Sequence, residues 1–204
     1  MRLLARIGWG HRGLALILVA GLVWAAMSLV ADEPEIALTP GEPWEQMRHR
    51  SSAKIGPAIA GHHWFRTPQS DARLRLADAQ YGFVTPLARF FTVGFDGERV
   101  DGIRMSPQIE PLQLDDTIKV VLDLQDQWRK NGWVPIRVKH DPPIENTPEW
   151  RAQLRDTFPG SVSYWQAGEK YQVMMIVRRV KDHRNPGEER YLITLSLATP
   201  WVRS

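Results

Sequence analysis

The stretch KYQVMMIVRRV, residues 170–180, is apolar at every position from Val173 to Val177. Because side chains alternate between the two faces of a strand, this run predicts a strand that is apolar on both faces and central in its sheet. Two segments of strand-like composition flank it, GSVSYW (160–165) and RYLITLSLA (190–198). Gly168 marks the first connecting turn, and HRNPGEE forms the second. The C-terminal third therefore predicts three consecutive antiparallel strands.

Three more strands are predicted upstream of these. The segment ARLRL (72–76) alternates leucine with arginine, as a half-buried strand does. The segment RFFTVGF (89–95) alternates in the same way and is followed by Asp96–Gly97, a strong hairpin signal. A return strand over residues 99–106 then completes the hairpin, and Pro107 ends it.

The segment LDDTIKVVLDLQDQWRKNGW (114–133) has helical periodicity, an acidic first turn and an Asn-Gly stop. It predicts a helix over residues 115–131. The apolar side covers about 200° of the helix surface, which is wider than the roughly 100° that packing on one neighbour requires. The edge formed by Val120 and Leu124 therefore needs a second cover. That cover is either the segment before the domain or a partner protein, so these two residues are candidate partner-binding residues.

A second helix and a seventh strand lie between this helix and the C-terminal strands. In NTPEWRAQLRDTF, Thr147 is placed to cap a helix whose first residue is Pro148. The segment VPIRV (134–138) reads as a short strand, and Pro135 assigns it to an edge of the sheet. The complete order is β-β-β-α-β-α-β-β-β. It predicts an α+β fold in which two helices pack on one face of an antiparallel sheet.

The segment GLALILVAGLVWAAMSLVA, residues 13–31, contains no charged residue. At 1.5 Å per residue a helix of this length spans about 28 Å, close to the hydrocarbon thickness of a bilayer. Arginines precede it in residues 1–12, and acidic residues follow it, which predicts a cytoplasmic N-terminal tail and an exported C-terminal domain. We expect a signal-anchor helix in a bacterial inner membrane, with a periplasmic domain. Cleavage as a signal peptide is the alternative, and it would export the same residues.

The exported part divides into two regions at about residue 71. Residues 32–70 contain five prolines and no lasting apolar periodicity, which predicts an extended, loosely packed tether; a short helix near PWEQMRHR, with Pro43 at its first turn, is compatible with the sequence. Residues 71–204 contain the predicted strands and helices and form the expected α+β domain. Trp44 and Trp64 lie in the tether, where there is little core for them to join, so they are further candidate partner-binding residues.

The charge distribution argues against nucleic-acid binding. The chain has 26 Lys and Arg and 23 Asp and Glu, and three of the basic residues precede the apolar run, so the remainder is neutral. A basic tail before an apolar run is a topology signal. One basic run, VRRVKDHR (177–184), is explained by a solvated strand end, with contact to an acidic partner or anionic lipid as the alternative.

The sequence contains no recognisable catalytic or metal-binding motif. It has no cysteine, no nucleophile elbow and no phosphate-binding loop. His62 and His63 are adjacent, and adjacent side chains of a strand point apart, which is unsuitable for shared coordination of a metal. We therefore predict no catalytic residue, no metal site and no cofactor.

Two functional hypotheses remain open. The first is a non-catalytic single-pass envelope protein whose exported domain binds another protein, either an assembly partner or a toxin that it neutralises. The second is a periplasmic enzyme or small-ligand-binding protein that uses a cleft beside helix 115–131. A pocket with convergent polar side chains would favour the second hypothesis, and an exposed apolar patch or groove would favour the first.

Overall fold

Nine strands and three helices make up the part of the chain that the computed structural model describes, residues 33–156, 160–182, 184 and 186–202. The predicted cytoplasmic tail and transmembrane helix lie outside these residues. No helix within the described ranges is long and apolar enough to cross a bilayer. The elements are β1 (Glu35–Leu38), α1 (Trp44–Arg50), β2 (His63–Arg66), β3 (Arg73–Leu76), β4 (Phe91–Asp96), β5 (Arg99–Met105), α2 (Leu114–Lys130), β6 (Val134–Ile136), α3 (Pro148–Asp156), β7 (Ser161–Ala167), β8 (Tyr171–Val180) and β9 (Arg190–Ala198).

Seven of the strands form one antiparallel sheet in the order β2-β4-β5-β9-β8-β7-β6. The predicted α+β class and antiparallel sheet are confirmed. The prediction of an interior position for the strand at 170–180 is also correct, because β8 pairs with β7 on one side and β9 on the other. β6 carries Pro135 and lies at one edge, as expected. The hairpin between β4 and β5 turns at Gly97, whose φ of 56° suits glycine.

The two predicted helices are present and pack on neighbouring strands of this sheet. α2 begins at Leu114, one residue before the predicted start, and contacts β9. Its buried residues recur every three to four positions, which directs one stripe into the core. α3 begins at Pro148 as predicted and contacts β8, and the backbone N–H of Trp150 donates to Thr147 Oγ1 at 3.3 Å. Leu154 is the buried residue of this helix.

The segment before residue 71 differs from the extended tether that its prolines predict. β1, α1 and β2 all lie in it, and the compact unit of the chain begins at Pro34. β1 pairs in parallel with β3, so the strand predicted at 72–76 belongs to a separate two-stranded sheet. Ile36 and Leu38 of β1 are completely buried in the common hydrophobic core. A four-residue strand paired across more than thirty residues leaves no local periodicity, which is why the sequence pattern did not show it.

An aromatic cluster accounts for several of the tryptophans. Trp128 of α2 packs against Phe83, Trp133 and Trp165, with ring centroids 5.5–6.3 Å apart. Tyr171 extends the cluster by stacking on Trp133 at 6.3 Å. All five residues are buried. Aromatic pairs at these separations stabilise the fold beyond the area that they bury, so this cluster anchors α2 on the sheet.

Candidate functional site

The four residues predicted to bind a partner lie on three different elements. Leu124 of α2 is completely buried, and Val120 is partly buried beside it. Trp44 of α1 is also partly buried, and its Nε1 donates to the carbonyl oxygen of Gly56 at 3.2 Å. Trp64 of β2 is 48% exposed. Of the four, Trp64 is therefore the residue that is best placed to contact a partner.

The second cover that α2 requires comes from inside the domain. The loop between β3 and β4 runs along the Leu124 side of the helix, where the N–H and carbonyl of Val84 both hydrogen-bond to the Gln127 side chain at 3.0 Å. On the other side, Gln125 Nε2 donates to the carbonyl oxygen of Ile144, in the loop before α3, at 2.8 Å. These loops lie against both sides of α2 and account for part of the width of its apolar arc. Leu124 is thus a core residue.

A depression of about 470 Å³ lies beside α2, where an enzyme or small-ligand site was the alternative hypothesis. Backbone and apolar side chains form most of its lining, together with Arg75, Asp78 and Gln127. Gln127 is committed to Val84 and also donates to Asp123 at 2.9 Å. Two of the polar side chains here, Gln127 and Asp78, are thus already held by the protein's own hydrogen bonds.

The Asp78 carboxylate accepts its hydrogen bonds from groups of the protein itself. Its Oδ1 accepts the backbone N–H groups of Gln80 and Tyr81 at 2.9 Å, and its Oδ2 accepts the hydroxyl of Tyr171 at 3.0 Å. Burial opposes the charge, but these donors and the nearby Lys170 ammonium outweigh it and hold the pKa of Asp78 below its ordinary value. Burial and the bond to Asp78 raise the pKa of Tyr171. These hydrogen bonds fix the loop after β3 to the sheet.

The most unusual surface is the face of the seven-stranded sheet that carries the even-numbered residues of β7, β8 and β9, which we call the open face. In β8 the odd-numbered residues Tyr171 to Val177 are buried, whereas Met174 and Ile176 are partly exposed and Arg178 is exposed. The register places one row of partners across five strands of this face: Thr92, Arg104, Ser196, Met174 and Tyr164. The open face therefore mixes apolar and polar side chains and is partly accessible to solvent.

A groove of about 360 Å³ occupies one end of the open face. Gly94 and Gly102 are cross-strand partners in its lining and leave a gap in the rows of side chains. Phe65, Met174 and Trp201 also line the groove. Phe65 is 58% exposed and Trp201 is 45% exposed. Large apolar side chains thus surround a shallow space that the described residues do not fill.

The side chain of Gln172 holds one wall of this groove in place. Gln172 is completely buried, and its Oε1 accepts the backbone N–H groups of Trp201 and Val202 at 3.2 and 2.9 Å. Its Nε2 donates to the carbonyl oxygen of Val202 at 2.8 Å and to Gln166 Oε1 at 3.2 Å. These three backbone bonds fasten the C-terminal segment beside the sheet, which places Trp201 at the groove.

A second cavity of about 360 Å³ lies further along the open face. Three arginines line it, Arg89, Arg104 and Arg178, together with one carboxylate, Glu110. Arg104 also lines the apolar groove, so the two depressions adjoin. Phe90, at 47% exposure, contributes an aromatic side chain to the same cavity. This half of the open face is basic.

No family model, curated protein or solved structure matches this chain. Its class therefore rests on its own architecture, an α+β domain with a seven-stranded antiparallel sheet and three helices in the described residues. Sequence reasoning did not select Phe65, Met174, Trp201 or Arg104. The apolarity of β8 on both faces was the available signal for Met174, and the basic run at 177–184 was the signal for Arg178.

Proposed function

We propose that this chain is a single-pass envelope protein whose exported domain binds another protein through the open face. The partner is an assembly component of the envelope or a toxin that the domain neutralises. The uncharged run at 13–31 and the charge asymmetry around it support the membrane anchor and the exported domain. In this arrangement the anchor holds the domain at the periplasmic surface, and the open face recruits the partner.

The observation that carries the proposal is the apolar character of a partly exposed sheet face. The solvent side of an antiparallel strand normally carries polar residues. β8 instead presents Met174 and Ile176 there, and Phe65 and Trp201 stand exposed at the neighbouring groove. Contiguous exposed apolar surface rimmed by polar residues is typical of protein interaction sites, where aromatic and arginine side chains are enriched.

Site-specific photo-crosslinking in intact membranes tests the binding surface. A photoreactive phenylalanine analogue replaces Phe65 or Met174 in the full chain, and the matched control carries it at Lys119, on the exposed side of α2. We expect a discrete protein adduct from both open-face positions and none from the control position. Equal labelling at Lys119, or no protein adduct from either open-face position, contradicts the proposal.

Reporter fusions test the topology separately. An alkaline phosphatase fused after Ser204 should be active, and a fluorescent protein that matures only in the cytoplasm should stay dark at the same position. The opposite pattern would place the domain in the cytoplasm. Mass spectrometry of the mature chain then distinguishes a retained anchor from a cleaved signal peptide. After cleavage the mature chain would begin near residue 29 or 32.

A further inference from the structure

The basic cavity of the open face contains arginines whose charges are not neutralised locally. Within the described part of the chain, the guanidinium groups of Arg104 and Arg178 form no ion pair and no hydrogen bond; the one side-chain bond to Arg104, from Thr92 Oγ1, goes to its backbone carbonyl. Arg89 does have acidic neighbours, Asp71 at 3.6 Å and Glu110 at 3.8 Å, and Glu110 is also held by Arg184 at 2.9 Å, so the unneutralised charges are those of Arg104 and Arg178. The cavity therefore keeps a net positive charge that an incoming anion would neutralise.

From this geometry we infer that the basic cavity receives an acidic side chain, aspartate or glutamate, of the partner protein. The inference rests on the proposed function and names the chemistry by which the partner is recognised. The guanidinium group is planar and presents paired N–H donors that match both oxygens of a carboxylate. Arg104 projects from β5 and Arg178 from β8, so rigid strands hold both groups at one cavity.

A protein occupant suits the surface better than a free anion because the cavity does not stand alone. Arg104 lines both the basic cavity and the apolar groove that contains Phe65 and Trp201. A small anion would fill the cavity and leave the groove empty. A protein segment with an acidic residue and neighbouring apolar residues would fill both, which matches the mixture of aromatic and arginine side chains found at binding hot spots.

The test combines charge reversal with the crosslinker at Phe65, which lies in the groove and outside the basic cavity. The full chain carries Arg104→Glu and Arg178→Glu together, or both arginines changed to lysine. The matched control, Lys119→Glu with Lys139→Glu, makes the same change in net charge at exposed positions that line neither the groove nor the basic cavity. Thermal melting of each purified variant checks folding, and the double arginine-to-glutamine variant replaces the glutamate variant if the latter melts early.

We expect the protein adduct to fall about tenfold or more with the glutamate pair, because juxtaposed like charges oppose association. The lysine pair should stay within about threefold of the parent, since it keeps the charge and loses only the bidentate geometry. The control pair should leave the adduct unchanged. Once mass spectrometry identifies the partner, changing its contacting carboxylate to lysine should restore the adduct with the glutamate pair.

Two results would overturn the inference, and only the first of them leaves the proposed function intact. A protein adduct of undiminished yield from the glutamate pair would mean that the open face binds a protein without an acidic contact in this cavity. An adduct with the mass of a phospholipid, in place of a protein, would mean that the arginines meet lipid headgroups. If the parent chain gives no adduct from Phe65 or Met174, the proposed function itself has failed.

Discussion

The link between Gln172 and the C-terminal segment gives a quantitative test of how the groove is held. Gln172→Met keeps the length of the side chain and removes its amide. The change eliminates the three bonds to the backbone of Trp201 and Val202, at 2.8 to 3.2 Å. Each hydrogen bond of this kind contributes about 0.5–1.5 kcal/mol to stability, so three contribute about 1.5–4.5 kcal/mol. The released segment regains conformational freedom, so we expect a loss of about 1.5–3 kcal/mol.

Urea unfolding of the full chain in detergent, followed by circular dichroism, measures this loss. A chain that ends at Pro200 lacks the backbone partners of Gln172 and serves as the second arm of a double-mutant cycle. In that background Gln172→Met should cost only about 0.5–1.5 kcal/mol, because the three backbone bonds are already absent and the bond to Gln166 Oε1 is the one left to lose. If the substitution costs as much in the shortened chain as in the full chain, Gln172 stabilises the sheet and does not fasten the C-terminal segment.

Two further predictions concern the core beside α2. Leu124→Ala should reduce the free energy of unfolding by about 2–5 kcal/mol, whereas Val120→Ala should reduce it by under about 1.5 kcal/mol, because only the first leaves a fully buried cavity. Chemical denaturation measures both losses, and equal losses would contradict the placement of Leu124 in the core. The lowered pKa of Asp78 means that its contribution to stability is complete above the unfolded-state pKa of about 4 and is lost as the pH falls through the lower folded-state value. Asp78→Asn should therefore flatten the acid limb of the stability profile, and an unchanged limb would show that other carboxylates control it.

The parts of the fold that the sequence predicted correctly are those with strong local signals. β8 has an apolar core flanked by two turn segments, and α3 has Pro148 at its first position after Thr147. The hairpin at Gly97 required a positive φ, which glycine adopts without strain. In each case one short stretch of sequence contains all the information that specifies the element, so reading it in isolation is sufficient.

The parts that the sequence did not predict depend on partners far away in the chain. Ile36 and Leu38 are buried because β1 pairs with β3, and the Glu35 carboxylate accepts bonds from Arg73 and Arg75 at 3.2 and 2.7 Å. None of these contacts is visible within a window of ten residues. Prolines also favoured a tether, although the short helix that the sequence allowed after Pro43 is present as α1. Proline content therefore misled the assignment of this region.

Met174 and Met175 show that a sequence pattern alone does not tell which residues of an apolar strand are buried. Both belong to the same apolar run, and local composition gives no reason to distinguish them. Met175 is completely buried in the core, whereas Met174 lies partly exposed on the open face. A strand that is apolar on both faces is explained in one of two ways. Either both faces are buried within the domain, or one face is buried there and a binding partner covers the other. Because the described chain covers only one face completely, the apolar residues of the other face are the ones whose presence a binding partner would explain.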